Sequence, residues 1–184
     1  MFELKPLSRE AIPAALEKAN RYRLLNEPGE AESICQDILR TDPDNQQALI
    51  TLLLSITDQF GRGHGGNLAH AKELLPRLRD EYERAYYSGI IVERRGKALL
   101  HQGTAGAGYE AYQCLREAMT CFEMAERVRP PGKEDSRLRW KCVRASNHQT
   151  QAHAAPARST RDAAGIVVLH EGCGFNPRGF SFIG

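Results

Sequence analysis

The chain has 184 residues, of which 41% are hydrophobic and 26% are charged. This length is enough for one domain or a short array of repeats but not for two full-sized domains, and the composition excludes wholesale disorder. No apolar run approaches the roughly 18 residues of a membrane helix, and the N-terminus does not resemble a secretory signal. The five cysteines show no paired spacing, so we expect reduced thiols in a cytoplasmic protein without membrane association.

The net charge of +2 conceals a basic segment near the C-terminus. Residues 1–126 contain 15 Lys and Arg against 19 Asp and Glu, whereas residues 127–161 contain nine basic residues against two acidic ones. A basic segment of this kind can attract phosphates or acidic partners. The more ordinary interpretation, which we favour, is a solvated helix face followed by a tail.

Helical periodicity and turn residues divide residues 1–147 into helices, without the alternating pattern of strands. The first helix is predicted over residues 12–25, and a turn follows at residues 27–29. The second helix should end before Pro43, because the residue before a proline resists the helical conformation. Its apolar stripe consists of Ala31, Ile34, Cys35, Ile38 and Leu39.

The third helix is predicted to begin after Asp44 as its N-cap, with Gln47 three residues on as in a capping box. Its buried stripe should be Ala48, Leu49, Leu52, Leu53 and Ile56. Glycine-rich loops are predicted at residues 61–67 and 103–108. The remaining helices are predicted at residues 68–78 with a bend near Pro76, at residues 80–101, from Ala111 to Val128, and at residues 134–146.

The residues beyond about 147 have little apolar surface to bury. We therefore predict a helical domain at residues 1–147 and a flexible tail at residues 148–184. Residues 164–169 have some strand propensity but no evident partner strand, and we assign them no fold.

Internal repetition is the most informative signal. One set of residues has spacings of four, three and five, and a second set repeats those spacings without a shift: Ala31, Cys35, Ile38 and Pro43, then Ala118, Phe122, Ala125 and Pro130. A small residue is needed where paired helices cross closely, and a larger residue is needed where the next helix packs. A proline suits the position where the second helix must end. Counting back from Pro43 places Ala19 and Tyr22 at the small and aromatic positions of the preceding helix.

This pattern resembles the tetratricopeptide repeat, a helix-turn-helix unit of about 34 residues. The resemblance implies an all-α fold of antiparallel helix pairs stacked as a short α solenoid. About three repeats and a capping helix would account for three quarters of the chain, with Leu138, Trp140 and Val143 covering the end of the stack. The alternative is an irregular helical bundle in which the spacing is a coincidence.

The resemblance also implies a binding groove, because the first helix of each tetratricopeptide unit lines a concave surface that accepts a peptide or a helix. Carried over to this chain, the groove would consist of Asn20, Arg23 and Leu24, then Gln47, Ile50, Leu54 and Asp58, then Tyr86, Ile90 and Arg94. Tyrosine and arginine are common binding anchors. Packing of Tyr86 and Ile90 between units is an equally good interpretation of those two residues.

Family members that act as chaperone adaptors hold a C-terminal carboxylate with a Lys/Asn/Arg clamp. Asn20 matches one position of that clamp, but Leu16 and Thr51 stand where a lysine and a second asparagine would be. A leucine can neither donate a hydrogen bond nor offer charge to a carboxylate. The clamp is therefore mostly missing.

Catalytic and metal-binding patterns are also missing from the sequence. Residues 61–66 fit G-x-G-x-x-G, but a predicted helix precedes them where a dinucleotide site needs a strand. No C-x-x-C occurs, and Cys114 and Cys121 are expected to be core residues without a nearby activating histidine. We expect no cofactor, no metal and no enzymatic activity.

The sequence thus favours a non-enzymatic tetratricopeptide-like adaptor or scaffold that binds a protein or peptide partner. The alternative function is nucleic-acid binding through residues 127–161, although Trp140 is the only aromatic residue in that segment that could stack on a base. The partner, the pathway and the oligomeric state are left open.

Overall fold

The computed structural model describes residues 5–61 and 67–154, in which every regular element is a helix, as predicted. Two short 3-10 turns, Arg9–Ala11 and Leu75–Arg77, accompany the α-helices. No helix in the described residues is long and apolar enough to cross a bilayer. The α-helices are α1 Ile12–Leu24, α2 Pro28–Thr41, α3 Gln46–Asp58, α4 Leu68–Leu74, α5 Glu81–Gln102, α6 Ala107–Arg127 and α7 Asp135–Ala154.

Helices pack mainly on their neighbours in sequence. α1 contacts α2 and α3, α3 contacts α2, α4 and α5, and α6 lies between α5 and α7. One core cluster is built from α1 to α5 around Leu49, Leu53 and Ile56, and a second is built from α5, α6 and α7 around Phe122. Leu54 packs against both clusters and so links the two halves of the molecule.

Local signals set most helix ends, with three corrections. α6 begins at Ala107, inside the loop that was predicted at residues 103–108. Pro28 is the first residue of α2 rather than part of a turn, because its fixed φ suits the first helical position. The N-cap of α3 is Asn45 and not Asp44, since Asn45 Oδ1 accepts a hydrogen bond of 3.0 Å from the backbone N–H of Ala48. α2 ends at Thr41 and α4 gives way to a 3-10 turn at Leu75, both close to the predictions.

α7 corrects the predicted boundary between helical domain and tail. This helix continues to Ala154, eight residues beyond its predicted end. The extension is polar, but it buries Thr150 at 4% exposure, and the next proline comes only at residue 156. The rest of the predicted tail and the loop at residues 62–66 lie outside the described residues.

Two glycines allow α5 and α6 to approach closely along their length. A Cβ atom at Gly89 would stand 2.6 Å from Cε1 of Phe122, and one at Gly96 would stand 3.0 Å from Cβ of Cys114. The first distance is shorter than real Cβ contacts, and the second would require the neighbouring atoms to shift by a few tenths of an ångström. The close α5–α6 crossing therefore depends on hydrogen atoms at these two positions of α5.

Candidate functional site

The predicted groove residues lie on α1, α3 and α5, with different degrees of exposure. Asn20, Leu24 and Gln47 are exposed, and Leu24 shows 88% of its surface to solvent. The half-buried members are Arg23, Ile50, Leu54, Asp58, Tyr86 and Arg94. Ile90 is 3% exposed and belongs to the second core cluster, so it packs inside the protein and does not line the surface.

An ion-pair network joins these three helices. The carboxylate of Asp58 on α3 lies 2.9 Å from Nε of Arg23 on α1 and 2.6 Å from Nη1 of Arg94 on α5. Arg94 Nη1 also donates to the carbonyl oxygen of Leu54 at 2.9 Å and to the hydroxyl of Thr57 at 2.5 Å. Burial lowers the pKa of Arg94, while the charge of Asp58 opposes that shift. One carboxylate thus holds together residues from three helices.

A second network centres on Glu93 of α5, whose side chain is only 1% exposed. Lys97 Nζ lies 2.6 Å from its Oε1, and Arg139 Nε of α7 lies 2.7 Å from its Oε2. We call the members of both networks the charged strip: Arg23, Asp58, Glu93, Arg94, Lys97 and Arg139. In the strip, four cations share two carboxylates.

Sequence reasoning did not find the role of Glu93 or Arg139. The i,i+4 spacing of Glu93 and Lys97 was a usable signal for one ion pair on a helix face. The contact between Glu93 and Arg139, in contrast, spans 46 positions of the chain. It depends on how α7 is placed.

Aromatic rings occupy the N-terminal half of α5. The rings of Tyr82 and Tyr86 are stacked at 5.8 Å, and Tyr86 also meets Tyr87 at 5.2 Å and Phe122 at 5.7 Å. Burial raises the pKa of Tyr86 and raises that of Tyr87 to about 12. Lys133 Nζ lies 5.0 Å from the ring centroid of Tyr82. Tyr86 therefore uses much of its ring in packing, and only its uncovered part is left for a partner.

The positions of the carboxylate clamp do not form one. Leu16 is 9% exposed and Thr51 is 4% exposed, so both lie beneath the surface. Thr51 Oγ1 is 3.4 Å from the side-chain oxygen of Asn20. Of these three positions, Asn20 alone lies at the surface.

Acidic side chains neutralise much of the basic segment. Arg129 lies 2.8 Å from Glu134, and Arg137 lies 2.6 Å from Glu126. Lys133 is 3.9 Å from Glu83, and Arg139 belongs to the charged strip. The paired cations are held by the protein itself, which leaves fewer of them for phosphate groups.

The thiols in the core are poor nucleophiles. Burial raises the pKa of Cys35 to about 12 and also raises the pKa values of Cys114 and Cys121. Ser88 Oγ is 3.7 Å from the sulfur of Cys121, which is a weak hydrogen bond within the packed interface. Within the described ranges, no three His, Cys, Asp or Glu side chains converge in a way that could hold a metal ion.

An open cleft of about 440 Å³ lies between α5 and α6, on the side of α5 away from the charged strip. Its apolar lining comes from Leu75, Ala85, Met124 and Val128, with charged residues at Glu81, Arg84 and Arg127. None of these belongs to the predicted groove. The cleft and the charged strip are separate surface features.

Comparison with models of protein families, with curated proteins and with solved structures found no match for this chain. The described residues form an all-helical protein in which ion pairs connect α1, α3, α5 and α7.

Proposed function

We propose that this chain is a cytoplasmic, non-enzymatic, tetratricopeptide-like adaptor. In this proposal the pairs α1–α2, α3–α4 and α5–α6 stack as a short solenoid that α7 caps. A protein or peptide partner binds to the face formed by the odd-numbered helices. We call this face the odd-helix face; its exposed members are Asn20, Leu24 and Gln47, beside the half-buried Ile50 and Leu54.

The observation that carries the proposal is the equivalent burial of the two repeated sets. Their members in α2 and α6 are all completely buried: Ala31, Cys35, Ile38, Ala118, Phe122 and Ala125. The proline that completes each set comes shortly after its helix ends, Pro43 after α2 and Pro130 after α6. Equal spacing with equal burial is the behaviour expected of repeats, since each unit covers its neighbour in the same way.

The middle pair adds support that the sequence pattern alone did not supply. Ala71, Leu75 and Leu78 reproduce the spacings of four and three, and Ala71 and Leu78 are buried at 0% and 1% exposure. Glu83 stands where the proline would be. This spacing and burial support α4 and the turn after it as the second repeat helix of the proposal, without its proline.

A surface test can avoid the core and the ion pairs. Leu24→Ala with Gln47→Ala changes two exposed residues of the odd-helix face, while Met124→Ala with Gln113→Ala makes the matched change on α6. Each variant is used for affinity capture from the native host, with and without nuclease. We expect the α6 variant to capture a discrete protein that nuclease treatment does not remove. The odd-helix variant should fail to capture that protein.

Two results would overturn the proposal. Equal capture by both variants would show that the odd-helix face does not bind the partner. Recovery that disappears with nuclease would favour the alternative, nucleic-acid binding through residues 127–161, and such binding should also weaken steeply with salt.

A further inference from the structure

We propose that the partner contributes an acidic segment, whose carboxylate side chains are bound by the surplus cations of the charged strip. This inference rests on the proposed function, because it concerns the same face of α1, α3, α5 and α7. It adds the chemical class of the partner, which the adaptor proposal leaves open.

The charge balance of the strip favours an acidic partner. Arg23 and Arg94 share the single carboxylate of Asp58, and Lys97 and Arg139 share that of Glu93. The strip therefore has two more cations than carboxylates. Because these groups are partly removed from water, an additional carboxylate is worth more here than at a fully exposed site.

The strip also has hydrogen-bond donors that its own carboxylates do not use. Arg23 and Arg139 each meet their carboxylate through Nε, and among the described residues no acceptor is bonded to their Nη atoms. A guanidinium group has five N–H donors and can bind a carboxylate through two of them. Arg139, whose side chain is 35% exposed, can therefore keep its present ion pair and bind a carboxylate from outside. Arg23 has the same unused donors, but its side chain is 19% exposed beside Asp58 at 25%.

Access favours the cations over the carboxylate at the second network. Glu93 is 1% exposed, whereas the side chains of Lys97 and Arg139 are 46% and 35% exposed. An approaching chain would meet positive charge before it met Glu93. Positive and negative charges are more evenly balanced at the aromatic end of the same face, because Lys133 lies near Glu83 there.

Charge also decides against the chain's own C-terminal residues as the occupant. Residues 155–184 contain only two acidic residues, nine positions apart, among three basic ones, so they offer no acidic segment to the strip. The inference also differs from the carboxylate clamp of chaperone adaptors. It concerns acidic side chains, and the residues at two clamp positions, Leu16 and Thr51, are buried.

The test removes the surplus without leaving a carboxylate unpaired. In Arg23→Gln with Arg139→Gln, Asp58 keeps Arg94 and Glu93 keeps Lys97. The matched control, Arg127→Gln with Lys141→Gln, removes the same charge from two exposed residues outside the strip. The probe is a short fluorescent peptide, blocked at both ends, with glutamate at every third position. Its twin has glutamine at those positions.

We expect the acidic peptide to bind the strip variant about tenfold more weakly than wild type, while the control changes by no more than about twofold. The glutamine twin should bind wild type at least as weakly as the acidic peptide binds the strip variant. Equal losses in the two variants, equal binding of the two peptides, or no binding of the acidic peptide would each overturn the inference.

Circular dichroism checks that both variants remain folded. If the strip variant is unfolded, Lys97→Gln replaces it, with Lys141→Gln as its control, because Glu93 then keeps Arg139. For that single change we expect the acidic peptide to bind about threefold more weakly. Binding equal to that of the control would overturn the inference. A further outcome is that the acidic peptide fails to bind while the Leu24→Ala with Gln47→Ala variant still fails to capture the partner that wild type captures. In that outcome, the adaptor proposal stands but the partner is not acidic.

Discussion

The ring of Phe122 on α6 fills the space that a side chain at Gly89 on α5 would need. A methyl group at position 89 would lie 2.6 to 2.9 Å from three atoms of the ring. Phe122 is completely buried and belongs to one of the two repeated sets. The packing of that repeat position is therefore matched to a glycine on the facing helix.

Gly89→Ala should destabilise the protein despite the better helix propensity of alanine. Alanine gains up to about 1 kcal/mol in a helix interior, but forcing a methyl group into a packed core costs about 1 to 3 kcal/mol. Urea unfolding should show a net loss of up to about 2 kcal/mol in the free energy of unfolding. Gly29→Ala on α2 is the control, because nothing lies within 4 Å of its added methyl group. Equal unfolding midpoints for the two variants would contradict the steric argument.

Glu93→Gln should loosen the attachment of α7 to α5. The amide cannot balance both Lys97 and Arg139, although these cations can turn toward water because they are partly exposed. We expect a loss of about 2 to 3 kcal/mol in the free energy of unfolding, near the lower limit for breaking a buried ion pair. Glu117→Gln, an exposed change on α6, should alter stability by less than about 0.5 kcal/mol. A Glu93→Gln protein as stable as this control would refute the structural role.

Asn45→Ala should cost more stability than Asp44→Ala, although Asp44 is the cap that the sequence pattern predicts. Asn45 Oδ1 caps the N–H of Ala48, and its Nδ2 donates to Asp42 at 2.9 Å. Loss of an N-cap costs about 0.5 to 2 kcal/mol. The Asp44 side chain is 77% exposed, so its removal should cost less than about 0.5 kcal/mol. Thermal unfolding of the two variants compares them directly, and the reverse order would restore Asp44 as the cap.

Stability should decline in alkaline solution because buried groups keep their protons in the folded state. Burial raises the pKa of Cys35 from 9.0 to about 12 and that of Tyr87 from 10.0 to about 12. Between about pH 9 and pH 12, the unfolded chain has lost protons from these groups that the folded chain retains. The free energy of unfolding therefore falls as the pH rises through this range. Tyr87→Phe should make this decline shallower.

Urea unfolding at a series of pH values measures that slope. Tyr109→Phe is the control, because Tyr109 is 62% exposed. It should leave the pH dependence unchanged. If Tyr87→Phe has the same slope as wild type, burial of Tyr87 does not contribute to the alkaline decline.

Local sequence was sufficient for the helices and most of their ends. The apolar stripe of α3 is buried as the 3.6-residue period predicts, and Pro43 sets the end of α2 through its effect on the preceding residue. The cap of α3 was missed because Asp44 and Asn45 are both good capping residues. The hydrogen bond from Asn45 to Asp42, which depends on the path of the chain, distinguishes them.

The C-terminal half of α7 shows where periodicity fails. Its sequence is polar, and a weak apolar stripe predicts little burial. The helix nevertheless buries Thr150. This burial depends on the packing of α7 against α6 and not on α7 alone.

The sequence by itself determined most of the helices and the repeated spacings, because each depends on neighbours within a few positions of the chain. Only the tertiary structure decided that Asp58 would bind two arginines and that Glu93 would be buried. The partners of these carboxylates include residues 35 and 46 positions away along the chain. Ion pairs over such distances require the packed helices, because side chains meet only after the backbones have been brought together.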